Sequence, residues 1–193
     1  DEGPFRFSAT GARCGWKSIL RTVPMCDHCG CRAFGPIAEL TADHEHILEL
    51  AWEVAEGEWP DEATHQAARD QLNRFLDFHA VKEEIGLYPL LISTGDLEVE
   101  RCEGLEAEHR EVHDLLERAA FDRRSYFALA AHIEEEEMEL FSASRFAFDD
   151  EEWEQMDQAH HAAAHQFGMP HGHDEDAGVP ARHRHDDGRV GSR

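Results

Sequence analysis

His79 and Glu83 stand four residues apart, with a second acid, Glu84, beside them and Leu87-Tyr88-Pro89 just beyond. On a helix that spacing sets an imidazole and a carboxylate one turn apart on one face. The pair is a good donor set for a transition metal. The same phrase returns as His132 with Glu136 and Glu137, followed by Leu140-Phe141. An echo precedes each copy: Leu40-Thr-Ala-Asp43-His44 before the first and Leu105-Glu-Ala-Glu108-His109 before the second. The chain therefore reads as a duplicated unit, with Leu-x-x-acid-His on one helix and His-x-x-x-Glu on the next. His113 falls one turn beyond His109 on the same face. His46 rivals His44, but the echo with His109 favours His44.

Four amphipathic stretches must position these groups. The first starts near Gly35-Pro36, proline being favoured in a first turn. It carries Ile37, Leu40, His44, Ile47, Leu48 and Ala51 at helical spacing and stops by Gly57. The second begins around Asp61 and carries Leu72, Phe75, Leu76, His79 and Glu83, with Gly86 and Pro89 placed to kink its end. Ser93-Thr-Gly95-Asp96 reads as a loop with an N-cap, after which the third stretch carries Leu105, His109, Val112, His113 and Leu116. Asp122 caps the fourth, which holds Tyr126, Leu129, His132, Ile133, Glu136 and Leu140. Short connections between long helices predict an all-α fold, an antiparallel up-down four-helix bundle over residues 35–148. Asp149-Asp150-Glu151-Glu152-Trp153 opens a short accessory helix over 149–166. The remainder, 167–193, is rich in His, Asp and Gly and reads as a disordered tail without a specific site.

Residues 1–34 read as an irregular segment that ends in a thiol cluster, Cys26-Asp-His28-Cys29-Gly-Cys31. A C-x-x-C with a third Cys suits a soft metal or redox chemistry. No second C-x-x-C completes a structural zinc site, so the cluster reads as reduced thiols and as a route to a protein partner. Met25 directly precedes it and reads as a natural start, which leaves the first 24 residues without a role. The odd total of 5 cysteines fits a reducing compartment, the cytoplasm. A formal charge of −24, from 42 acids against 18 Lys and Arg, argues against nucleic acid and anionic membranes as partners. No apolar run reaches the roughly 18 residues that a membrane span needs.

One inward histidine is ordinarily a hydrogen-bonded core residue. Five of them, with two carboxylates, spread over four helices, would cost several kcal/mol apiece if buried unpaired. Metal ions remove that cost, and seven ligands are too many for one ion. Across roughly residues 36–148, and into the accessory helix, the sequence resembles the hemerythrins and the wider hemerythrin-like, or HHE cation-binding, domains. The likeness rests on Asp43-His44, His79-x-x-x-Glu83, His109-x-x-x-His113 and His132 with its acid run, in the family's order. It implies a non-haem centre of two iron ions with an oxo or hydroxo bridge, binding dioxygen or a similar small ligand in oxygen or redox sensing, storage or stress response. The implied ligands are His44, His79, Glu83, His109, His113, His132 and either Glu136 or Glu137. On a straight helix Glu136 lies about 40° round from His132 and Glu137 about 140°, which favours Glu136 and leaves Glu134 and Glu135 to solvent. The same residues would serve an enzyme acting on peroxide or nitric oxide, or an iron-dependent interaction module. A ferritin-like oxidase needs two Glu-x-x-His motifs, and only Glu106-x-x-His109 lies within the bundle.

Overall fold

The computed structural model describes residues 30–169, all of its regular structure helical, with no strand among the described residues. Cys26, His28, Cys29, Met25 and the His-rich tail lie outside them. After a 3₁₀ turn, Cys31–Ala33, helix α1 spans Gly35–Glu56 with Pro36 in its first turn. Helix α2, Glu62–Lys82, is capped by Asp61, whose side chain accepts from the Thr64 N–H. It runs without a break through a π-helical turn, Glu83–Leu87, into α3, Tyr88–Thr94. Gly95 closes α3 at φ 84°, a left-handed conformation that glycine adopts without steric cost. Helix α4, Val99–Glu117, starts at Glu98 with no side-chain cap, so the expected cap in the 93–96 loop is not made. Asp122 caps α5, Arg123–Glu135, which passes through a second π turn, Glu136–Leu140, into α6, Phe141–Ala147. Helix α7, Asp150–Phe167, opens with a capping box between Asp149 and Glu152. No helix among the described residues is long and apolar enough to cross a membrane.

Helix α1 packs on α2 and α5, and α4 packs on the same two. Two apolar clusters lie among them. Leu40, Leu87, Leu91, Leu105, Leu140 and Phe141 belong to one, while Ile47, Leu72, Leu76, Leu116, Leu129 and Ile133 belong to the other. In α1 the sequence passes from Leu40 through His44 to Ile47, and the other three helices repeat that passage at His79, His109 and His132. A polar layer is thus held between two apolar ones.

Helix α7 breaks the duplicated pattern by packing mainly on α1, α2 and the first π turn. Gly86, seven residues after His79, makes this approach tolerable. A Cβ there would stand 3.2 Å from Ala159 Cβ and 3.7 Å from His160 Cδ2. Its counterpart seven residues after His132 is Glu139, which is exposed. Gly86→Leu is therefore expected to lose about 1–3 kcal/mol by overpacking, while Glu139→Leu stays within about 0.5 kcal/mol. Urea denaturation of the two variants checks this, and equal losses would mean that α7 does not seat on Gly86.

Candidate metal centre

Four imidazoles meet in the polar layer in two matching pairs. His44 Nε2 lies 3.0 Å from His79 Nε2, and His109 Nε2 lies 3.1 Å from His132 Nε2. The opposite ring nitrogens all face carboxylates. His79 Nδ1 is 3.4 Å from Asp43 and His132 Nδ1 2.6 Å from Glu108, each acid preceding the partner histidine in the Leu-x-x-acid-His echo. His44 Nδ1 is 3.1 Å from Glu137 and His109 Nδ1 3.1 Å from Glu84, the second acids of the two π turns. An ionised carboxylate only accepts hydrogen bonds, so every Nδ1 carries its proton. A neutral ring then presents a bare lone pair at Nε2, and each pair points two lone pairs at one another. Such an arrangement calls for a cation between them.

The two inner carboxylates complete the donor set. Both Glu83 and Glu136 are wholly buried. Glu83 lies 3.4 Å from His79, 3.7 Å from His44 and 3.5 Å from His109; Glu136 lies 3.3 Å from His132 and 3.5 Å from His44. Each acid therefore reaches both pairs. Glu83 Oε1 and Glu136 Oε2 are buried without a hydrogen-bond partner, an arrangement that leaves expensive lone pairs unless a positive charge takes them. His44, His79, Glu83 and Glu136 bring one donor atom each within 4.8 Å of one another, as do His109, His132 and Glu136. These buried groups can hold a metal ion.

The electrostatics say the same. Burial opposes charging His132, yet the Glu136 carboxylate raises its pKa to about 9. Burial and the Glu83 charge oppose ionisation of Glu136, yet His132 and His44 draw it down to about 2. His44 is raised well above its ordinary value and Glu83 lowered well below its own, both against burial. Glu83 and Glu136 thus stay ionised and draw positive charge onto His44, His79 and His132, a role that a metal ion would fill instead of protons.

The π turns are what differ from the sequence expectation. A straight helix would swing Glu137 away from the His132 face. The second π turn winds more slowly, and Glu137 is buried at 4 % exposure with His44 on one oxygen and Arg32 Nη2 at 3.0 Å on the other. Both acids of the pair therefore face inward, with Glu136 at the donor cluster and Glu137 behind His44. His113 is not brought to the cluster. It is partly exposed, its Nδ1 meeting Asn73 and its Nε2 lying 3.3 Å from Asp77. His46 sits edge-on to Phe75, also away from the site. Glu134 is exposed and Glu135 pairs with Arg101.

Several participants carry no motif of their own. Tyr88 is fully buried, and its hydroxyl donates to Glu136 Oε1 at 2.6 Å and lies 3.2 Å from Glu83 Oε2. Burial and these two charges raise its pKa, so it stays a phenol and a donor. Phe141, nine residues after His132 as Tyr88 is nine after His79, stacks on His44 at 5.3 Å. Lys82 donates to Asp43 at 2.7 Å and lies 3.8 Å from Glu39, which faces His160 Nδ1 at 3.1 Å. The Leu-aromatic step at 87–88 and 140–141 was the one available signal for the aromatic pair. Arg32, Lys82 and His160 had none.

No family model matches this chain, and neither a curated protein nor a solved structure matches it.

Proposed function

We propose that the chain is a hemerythrin-like, non-haem di-iron protein on an antiparallel four-helix bundle, binding dioxygen or a related small ligand. One observation carries the reading: two histidine pairs aim their Nε2 atoms inward, each Nδ1 anchored by a carboxylate, around two buried glutamates with orphaned oxygens. His44 and His79 would hold one ion and His109 and His132 the other, with Glu83 and Glu136 shared between them. Imidazole with carboxylate suits iron, manganese and zinc; iron among these supplies the redox chemistry that dioxygen requires. The carboxylates behind the rings fix tautomer and orientation and raise ligand basicity. Tyr88 holds Glu136 in place, and the apolar layers on either side keep bulk water from the centre.

Iron quantification with an ultraviolet-visible spectrum tests this. About two irons per chain are expected, with charge-transfer bands that vanish on reduction and return in air. Zinc alone, or a single ion unaffected by His79→Ala or His109→Ala, would overturn it.

A further inference from the structure

A cleft of about 230 Å³ opens between the loop that follows α3, the start of α4 and the second π turn. Asp96, Glu98 and Glu139 are exposed at its mouth, while Leu97, Leu105 and Leu140 are buried in its wall. Glu136 lies at its inner end, wholly buried, and its Oε2 has no hydrogen-bond partner. The cleft thus runs from solvent to a carboxylate of the donor cluster. Glu136 belongs to both groups of donor atoms, so an ion that reaches it has reached both halves of the centre. The duplicated halves differ here. On the first π turn α7 covers Gly86; on the second, Glu139 holds the corresponding place and lines the cleft instead.

Charge fixes what the cleft attracts. Five carboxylates line it against one guanidinium, that of Arg101, which pairs with Glu135. A cleft of one sign between low-dielectric walls concentrates counter-ions and raises their on-rates about 10–1,000-fold. An ion with six waters takes about 180 Å³, at roughly 30 Å³ per water, so a hydrated cation fits. The other approach to the centre, a cavity of about 330 Å³ on the α4–α5 side, is built differently. Leu76, Val112, Leu129 and Ile133 wall it, and of its acids Glu108 is held by His132. Hydrocarbon gives a dication nothing in exchange for its waters.

We infer that the acidic cleft is the port through which metal ions load the centre. Asp96, Glu98 and Glu139 draw the hydrated ion in, and Glu136 is the first inner ligand to replace its water. This deepens the reading of the donor cluster as a metal centre and rests on it, though not on which metal fills it.

Stopped-flow loading of the metal-free full chain with cobalt(II) tests it, because visible bands grow as imidazole and carboxylate replace the ion's waters. The variant Asp96→Asn/Glu98→Gln/Glu139→Gln changes only exposed side chains. At about 0.1 M ionic strength, where the Debye length is about 10 Å, it should load about tenfold more slowly than the parent. In about 1 M salt, with that length near 3 Å, the deficit should disappear. The number of ions bound at saturation should not change. Arg101→Gln removes the one cation of the lining and should load faster. Glu111→Gln/Asp114→Asn/Glu117→Gln removes as many exposed acids toward the other end of α4, beside the apolar cavity, and should load like the parent. The inference is overturned if the first variant loads as fast as the parent, if the second triple variant is slowed equally, or if Arg101→Gln slows loading. Rates that ignore the cleft, with iron content intact, would sink this inference alone. Cobalt(II) uptake through the cleft by a chain that never takes iron would sink the di-iron reading alone, and no uptake of any metal would sink both.

Discussion

On the di-iron reading proposed above, Glu136→Gln is expected to empty the centre of metal, from about two ions per chain to almost none. The substitution keeps the volume and the Tyr88 contact but removes the charge that His132 and His44 share. Glu136 contributes to both groups of donor atoms, so no half survives its loss intact. Glu137→Ala should behave differently. That acid touches His44 Nδ1 and Arg32, not the inward Nε2 atoms, and removing such an outer partner weakens metal affinity about 10–100-fold. Iron stoichiometry at saturation should then persist, with a weaker binding curve. Metal analysis after dialysis against a graded chelator series separates the two. If Glu137→Ala stripped the iron while Glu136→Gln kept it, the two acids would have to exchange roles.

The stability of the metal-free protein should peak in mildly acidic solution, and on the proposed reading iron should reverse that slope. His132 rises from its ordinary 6.5 to about 9. Its protonated form stabilises the fold fully below 6.5, and that contribution is lost as pH climbs through about 9. Glu136 falls from 4.5 to about 2. Its contribution is full above 4.5 and is lost as pH drops through about 2. Between 4.5 and 6.5 both are in force. Iron needs the imidazole lone pairs and competes with those protons, so its stabilisation grows with pH. At a free iron(II) concentration about a thousandfold above Kd it adds about 4 kcal/mol, roughly 10 °C in Tm for a domain of this size. Anaerobic calorimetry from about pH 5 to pH 8.5, with and without iron(II), should show the two Tm values diverging upward. A gap that did not change with pH would mean that the histidines are not the ligands.

Much of this was legible because it depends on local geometry. Pro36, Gly57, Asp61 and Asp122 mark helix ends by backbone chemistry that acts within a turn. The four-residue spacing that puts His79 with Glu83 and His132 with Glu136 is equally local, and those four residues do come together. The failures are of two kinds. Glu137 departs from the constant-pitch expectation because the π turn that carries it has no periodic signature in its residues. His113 shares the helix face of His109, but a face is not a depth: one turn further along, α4 looks onto Asn73 and Asp77 of α2. Arg32, Lys82 and His160 escaped because what they touch is distant in sequence; Arg32 and Glu137 are 105 residues apart.

The crossed anchoring of the rings has one more result. His44, from the first hairpin, is steered by Glu137 of the second, and His109 of the second by Glu84 of the first. Neither hairpin can aim its own complement of imidazoles. A half that has formed alone keeps His79 on Asp43, or His132 on Glu108, but leaves its other ring unsteered and lacks the second inner carboxylate. To an ion it offers fewer donors, less firmly aimed, than the finished centre. Tight capture therefore waits until the two halves have met.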